Sequence, residues 1–195
     1  MALGLFFLIK ANIKHKDSIQ ENLDIWCYER GTRFEIANEE AAKEFMNLLE
    51  EPYTDVIDLG CGDGAAGQYF VERGLFTIGI DINQEKLKNY PGISIAVDMY
   101  DFLREMKNES IQNIFTHHAL EHTVRARDII AECGRVLQPG GYYYAVVPAN
   151  DHLHTVHHVV FEKAIELLPV GLIPIFCDYQ DRMEPEFKCV AQKPK

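Results

Sequence analysis

The sequence predicts an α/β fold: a doubly wound, seven-stranded, mostly parallel sheet with one antiparallel strand near the C-terminus and helices on both faces. Three observations predict it. Short apolar runs alternate with helix-compatible segments along most of the chain, the pattern of βαβ units. The first run, Val56-Ile57-Asp58-Leu59, opens directly into a loop with glycine at every second position, Gly60, Gly62 and Gly64. The last two runs, 172–177 and 186–192, have no long helix between them. Parallel neighbours need a crossover of about a dozen residues or more, so this pair is expected as an antiparallel hairpin.

The elements follow in order. Residues 10–24 are polar and read as loop or short helix. Asn38 to Leu49 reads as a helix, with Asn38 able to cap and Ala41, Ala42, Phe45, Met46, Leu48 and Leu49 forming an apolar stripe. The first strand is expected at 54–59 and a helix at 65–73, stopped by Gly74. The second strand spans 76–80, and a short helix, Gln84 to Asn89, halts at Pro91-Gly92. The third strand covers 93–97, a helix 100–107, and the fourth strand 111–116. A helix over 125–137 ends at Pro139-Gly140-Gly141, before a fifth strand at 142–147 broken by Pro148. A short helix is expected over 159–168.

Bulk properties narrow the function. A chain of 195 residues is read as one domain with a real core. A net charge of −11 and the absence of a basic run disfavour nucleic acid as a partner. The five cysteines, Cys27, Cys61, Cys133, Cys177 and Cys189, are odd in number and lack C-x-x-C spacing. A disulfide framework and a zinc knuckle are both disfavoured, and a reducing, cytoplasmic location is expected. The apolar stretch Leu3 to Ile9 is too short to span a bilayer and lacks the features of a signal peptide. It is read as a terminal strand or helix packed on the domain, with no membrane partner.

The glycine loop names a cofactor class. Glycine lets the backbone turn tightly and approach a ligand closely. Gly62-Asp63-Gly64-Ala65-Ala66-Gly67 also satisfies the dinucleotide pattern G-x-G-x-x-G, so NAD is one reading. Three details count against it: the glycines begin at Gly60, Asp58 lies two residues earlier, and Asp63 sits within the loop. A pyrophosphate prefers backbone N–H groups free of crowding carboxylates. S-adenosylmethionine (SAM) carries a sulfonium and an ammonium and no phosphate, so the acids suit it better. Asp81 ends the second strand about twenty residues beyond the loop, where a carboxylate can accept from both ribose hydroxyls.

Four blocks together resemble the class I SAM-dependent methyltransferases. Asp58-Leu59-Gly60-Cys61-Gly62-Asp63-Gly64 looks like their first motif, and Ile78-Gly79-Ile80-Asp81-Ile82 like the end of their second strand. Ala96-Val97-Asp98-Met99 looks like the segment after the third strand. Ala119-Leu120-Glu121-His122 and Arg135-Val136-Leu137-Gln138-Pro139-Gly140-Gly141 look like the flanks of the fourth helix. The resemblance runs over residues 38–192. It implies a SAM-binding domain at 38–195, with residues 1–37 as an extension or lid. It implies a seven-stranded sheet with one reversed strand. It places Asp58 toward the methionine ammonium, Ile82 against the adenine, Asp98 on the adenine amine, with nearby Asp101 a rival for that role, and the Met99 N–H at a ring nitrogen. Gly60, Cys61, Gly62 and Gly64 would form the cofactor loop, with Cys61 a small filler. The implied activity is in-line methyl transfer to an unidentified acceptor. No N-P-P-Y segment and no double-glutamate loop appears, which leaves a small molecule favoured.

Seven of the eight histidines fall in two groups: His117, His118 and His122 after the fourth strand, and His152, His154, His157 and His158 after the fifth. They read as solvated loop residues, as a general base or substrate-orienting group, or as metal ligands completed by Glu121 and Asp151. His117, His118 and His152 are the candidates for base or orienting residue, His117 also edges the cofactor, and no metal is assigned. Trp26 and Tyr28 read either as a lid or as packing on the sheet edge. The connection at 149–171 is short for a substrate cap. Residues 1–37, a second subunit or a protein partner could close the site. Two rival functions stand beside methyl transfer: an NAD-dependent oxidoreductase and a non-catalytic SAM-binding partner protein.

Overall fold

Seven strands form one sheet in the order β3-β2-β1-β4-β5-β7-β6. The computed structural model describes residues 32–49, 55–149, 158–181 and 185–195. The strands are β1 Asp55–Leu59, β2 Phe76–Asp81, β3 Ile93–Ala96, β4 Ile111–His117, β5 Leu137–Pro148, β6 Ile173–Gln180 and β7 Glu186–Gln192. The helices are α1 Thr32–Met46, α2 Ala65–Glu72, α3 Gln84–Leu87, α4 Met99–Glu105 and α5 Ala126–Val136, with 3-10 turns at Leu120–His122 and Ala164–Leu167. Strands β1 to β5 pair in parallel, and β7 runs antiparallel to both β5 and β6. The reversed strand is therefore β7, and its antiparallel pairing with β6 is the hairpin the short connection predicts.

Period-two alternation sorts the sheet into two faces. Ile57, Leu59, Ile78, Ile80, Tyr143, Ala145 and Val147 pack with Phe102 and Leu103 of α4 and Ile129, Ile130 and Cys133 of α5. Val56, Phe115, Tyr142, Tyr144 and Val146 pack on the opposite side with Ala41, Ala42 and Phe45 of α1 and Ala66 and Phe70 of α2. Phe45, Phe70, Phe115 and Tyr144 form an aromatic stack there, with ring centroids 5.2–6.1 Å apart. Helices thus cover both faces. The strand order reverses between β1 and β4, which is where open α/β sheets hold ligands, at the carboxyl ends of the strands.

Three sequence expectations are corrected. The first helix begins at Thr32, not Asn38, so Asn38 lies inside α1 and caps nothing. Strand β5 begins at Leu137, where a turn was expected at 139–141. Leu137 pairs with Ile111, and the register then slips before Asn113 meets Tyr142. Gly140 takes φ +81°, and a Cβ on Gly141 would stand 2.3 Å from the Gln112 carbonyl oxygen, so the glycines carry a bulge within the strand and do not end it. The expected helix over 159–168 is only the turn Ala164–Leu167, since one buried pair, Ala164 and Leu167, anchors too few residues to repay helix nucleation.

Candidate functional site

The loop after β1 is built by glycines in a left-handed backbone conformation that side chains rarely adopt. Gly60, Gly62 and Gly64 have φ of +72°, +52° and +89°. A Cβ on Gly60 would lie 2.3 Å from the Cβ of Ala119, so the loop presses directly against the chain leaving β4. Met99 also approaches, its Sδ 3.8 Å from that position. The Gly60 and Cys61 N–H groups both donate to the Ile80 carbonyl, at 2.7 and 3.1 Å, tying the loop to β2. Gly64 then starts α2 without a side-chain cap.

Asp81 braces this loop from the end of β2. Its Oδ2 accepts from the Gly62 N–H at 2.9 Å and its Oδ1 from the Asn83 N–H at 2.7 Å. Asn83 in turn caps α3 by accepting from the Glu85 N–H at 3.0 Å. Burial pushes the Asp81 carboxyl above its ordinary range, and the two backbone bonds oppose that rise. Ile82 follows, half-buried.

Asp58 is buried at 2 % exposure, on the face of β1 opposite Leu59. It accepts from the Tyr90 hydroxyl at 3.3 Å. Burial raises its carboxyl to about 7; the Tyr90 bond works against the rise and the Asp81 charge adds to it. Tyr90 was not singled out in the sequence. Its ring lies in a hollow left by two glycines: a Cβ on Gly67 would meet it at 2.6 Å and one on Gly79 at 2.5 Å. A glycine inside a strand, as at Gly79, is the sequence signal for such a close approach. Cys61 packs with Tyr90 and Leu87 in the same small cluster, and burial pushes its thiol far up, away from nucleophilic use.

Asp98 has a structural role at α4. Its Oδ1 accepts from the Tyr100 and Asp101 N–H groups at 2.8 and 3.3 Å, an N-cap that places Met99 in the first helical position.

His117, at the end of β4, and His118, just after it, converge on Glu186, a residue without a sequence signal. Glu186 opens β7 opposite Pro148 of β5 and is buried. Its Oε1 lies 2.9 Å from His118 Nε2 and 3.9 Å from His117 Nε2. Glu121, also buried, lies 4.0 Å from His118 Nδ1 and 3.5 Å from His122 Nε2. His118 to Glu186 spans 68 residues of sequence, so only the strand order reveals the pairing. Trp26, Tyr28, Asp151, His152, His154 and His157 lie outside the described residues.

Together these groups test for a cofactor. A loop of N–H groups is flanked by two carboxylates, the buried Asp58 and the half-buried Asp81, with Asp63 on the loop. These carboxylates accept from neutral donors, the Gly62 and Asn83 N–H groups and the Tyr90 hydroxyl, so the negative charge they place beside the loop disfavours a pyrophosphate and favours a cation. The site therefore fits a nucleoside with a positively charged end, and SAM is such a molecule.

Comparison with known proteins agrees. Residues 57–145 match the model of a methyltransferase domain. A ubiquinone biosynthesis O-methyltransferase of Hahella chejuensis is 27 % identical over 129 residues, covering 62 % of this chain and 54 % of the relative. The chain spans about half the length of the curated relatives it matches. A Haloferax volcanii methyltransferase structure, solved as a complex with the Trm112 activator, superimposes with a TM-score of 0.68 at 20 % identity, covering 83 % of this chain and 92 % of that one. A SAM-dependent methyltransferase from Archaeoglobus fulgidus gives 0.67 at 14 % identity, covering 82 % and 94 %.

Proposed function

We propose that this chain, a class I SAM-dependent methyltransferase by its domain and fold, moves a methyl group from SAM to a hydroxyl of a small molecule. The observation that carries the reading is the acid-flanked glycine loop: Asp58 and Asp81 beside Gly60–Gly64 at the switch point of the sheet. The names of the O-methyltransferase relatives support the oxygen acceptor. When bound, SAM supplies a methyl group already activated by a positive sulfur.

The chain's own residues bind, orient and exclude water. Asp81 takes the ribose hydroxyls with the lone pairs left by its two backbone donors, and holds Gly62 in place while doing so. Asp58 faces the cationic methionine end, and Gly60, Cys61, Gly62 and Gly64 give the chain's close approach. Ile82 and Met99 supply apolar contact to the base, and Asp98 fixes the Met99 N–H by capping α4. His117 and His118, at the end of β4 and against the same loop through Ala119, are the groups that orient an acceptor or accept its proton. His152 belongs to the same proposal on its sequence position.

Residues 38–195 are proposed as the SAM-binding domain and residues 1–37 as an extension closing it. A protein partner or second copy completing the acceptor pocket is supported by exposed Val160, Ile165 and Val170 on the connection before β6. No described helix is long and apolar enough to cross a membrane. The described cysteines are all free, which supports a reducing, cytoplasmic setting. The test is turnover: purified protein, SAM and panels of phenols, alcohols and amines, with S-adenosylhomocysteine release read by mass spectrometry. Product with a hydroxyl acceptor is expected. Binding of SAM with no turnover on any panel would favour a non-catalytic SAM-binding role.

A further inference from the structure

We propose that His117, His118 and Glu186 form a binding site for one divalent transition-metal ion at the acceptor side of the site. One ligand atom from each of the three lies within 4.8 Å of the others. Ligand atoms about 2.0–2.2 Å from a shared ion stand about 3.0–3.5 Å apart, so around an ion the 2.9 Å from Glu186 Oε1 to His118 Nε2 would widen slightly, while the 3.9 Å to His117 Nε2, in a cluster no wider than 4.8 Å, would contract.

The backbone supplies an independent argument. β4 ends at His117, and His118 opens the bend that leaves the strand. That bend brings the two rings together: their centroids are 4.5 Å apart and both face the same carboxylate. His118 takes φ +50°, a left-handed conformation that strains a non-glycine residue. The turn is held by the His118 N–H donating to the Val146 carbonyl at 2.9 Å. A strained residue that aims two imidazoles at one buried carboxylate is the arrangement a metal site uses. Glu121, 4.0 Å from His118 Nδ1, stands where an outer carboxylate orients a ligating imidazole.

The donor set names the ion class. Two imidazoles and one carboxylate with no thiolate suit Zn²⁺, Fe²⁺, Co²⁺ or Mn²⁺ and leave coordination positions open. An oxygen ligand fills such a position. An acceptor hydroxyl bound there would lose its proton to water more readily, its O–H electron pair staying on the oxygen, and His117 and His118, their lone pairs on the ion, would orient the acceptor instead of taking its proton. That role rests on the methyl-transfer reading above; the ion site itself does not.

The experiment uses the full chain, stripped with a chelator and titrated with Co²⁺ and Zn²⁺, with SAM binding measured in parallel. One Co²⁺ per chain with visible d–d absorption is expected, displaced by Zn²⁺. Glu186→Gln, which keeps shape, and His118→Gln are each expected to weaken Co²⁺ affinity by about 100-fold or more, beyond the 10–100-fold typical of losing an outer-shell group. Both variants should bind SAM as the parent does. A parent chain that binds SAM but takes up no stoichiometric Co²⁺ or Zn²⁺ overturns the site. Uptake that survives both substitutions overturns it too, assigning the ion to other histidines. Uptake lost in the variants without any SAM binding by the parent leaves the ion site standing and removes the methyl-transfer reading instead.

Discussion

Replacing Asp81 with alanine separates the two tasks assigned to that side chain. The carboxylate accepts from Gly62 and Asn83 at 2.9 and 2.7 Å, and a hydrogen bond to a charged group contributes about 1.5–3 kcal/mol. Solvent reaches the site, so the lower end applies to each, and a loss of about 3 kcal/mol in stability is expected. For a chain of this length that is a fall of about 6–12 °C in melting temperature. Two ribose hydroxyls lose their acceptor in the same substitution, so SAM affinity should fall by about 100-fold, equivalent to ~3 kcal/mol. Asp81→Asn keeps one acceptor oxygen and the side-chain shape, so it should fall between the parent and Asp81→Ala in both measurements. Differential scanning calorimetry reads the first effect and isothermal titration the second. Unchanged SAM affinity in a folded Asp81→Ala protein would refute the ribose assignment, whatever happens to the melting temperature.

Other outcomes follow from the same geometry. Gly60→Ala combines a left-handed φ of +72° with a 2.3 Å approach to Ala119, so it should cost about 1–3 kcal/mol and reduce SAM affinity sharply; a thermal melt and a titration at parental values would contradict the close approach. Asp58 has a folded carboxyl pKa of about 7, above its ordinary 3.8, so its contribution to stability is complete below about pH 4 and is lost as pH rises toward 7. Ligand-free protein should therefore lose stability over that window while SAM affinity rises through it, and Asp58→Asn should flatten both profiles; an unaltered pH dependence in the variant would exclude Asp58 as the source. Tyr90→Phe removes a bond that lowers the Asp58 pKa, so the midpoint of the SAM affinity profile should move to higher pH, and an unmoved midpoint counts against the pair. Phe45→Ala, at the centre of the aromatic stack, should cost about 3–5 kcal/mol in a denaturant titration while SAM affinity of the folded protein holds; a smaller cost would mean the cavity collapses.

The parts of the fold legible in the sequence are those with local causes. β-branched runs marked the strands at 55–59, 76–81 and 111–117, and Gly74 marked the stop after α2, because propensity and backbone freedom act over a few residues. The antiparallel pairing of β6 with β7 followed from loop length, whereas the choice of β7 as the reversed strand needed its pairing with β5. What stayed hidden depends on distant contacts. The bulged start of β5 needs Gln112 as a neighbour of Gly141, and Asn38 looked like a cap because nothing local shows that α1 continues back to Thr32. Asp81 and the glycine loop could be picked out from spacing. The site loop's support by Tyr90 could be read only from the two glycines that make room for it, 12 residues apart as Gly67 and Gly79. Glu186 left no signal in the sequence, since a single glutamate at a strand start acquires its meaning only when β7 lies beside β5.

The central claim is that the acid-flanked glycine loop accepts a nucleoside with a positive sulfur and rejects a pyrophosphate. Equilibrium titration of the full chain with SAM and, separately, with NAD tests it most directly. The account predicts saturable binding of one SAM per chain, with NAD weaker by about 100-fold or more, equivalent to ~3 kcal/mol, because its charged diphosphate would lie beside the Asp58 and Asp81 carboxylates. Tight binding of NAD with none of SAM would contradict it.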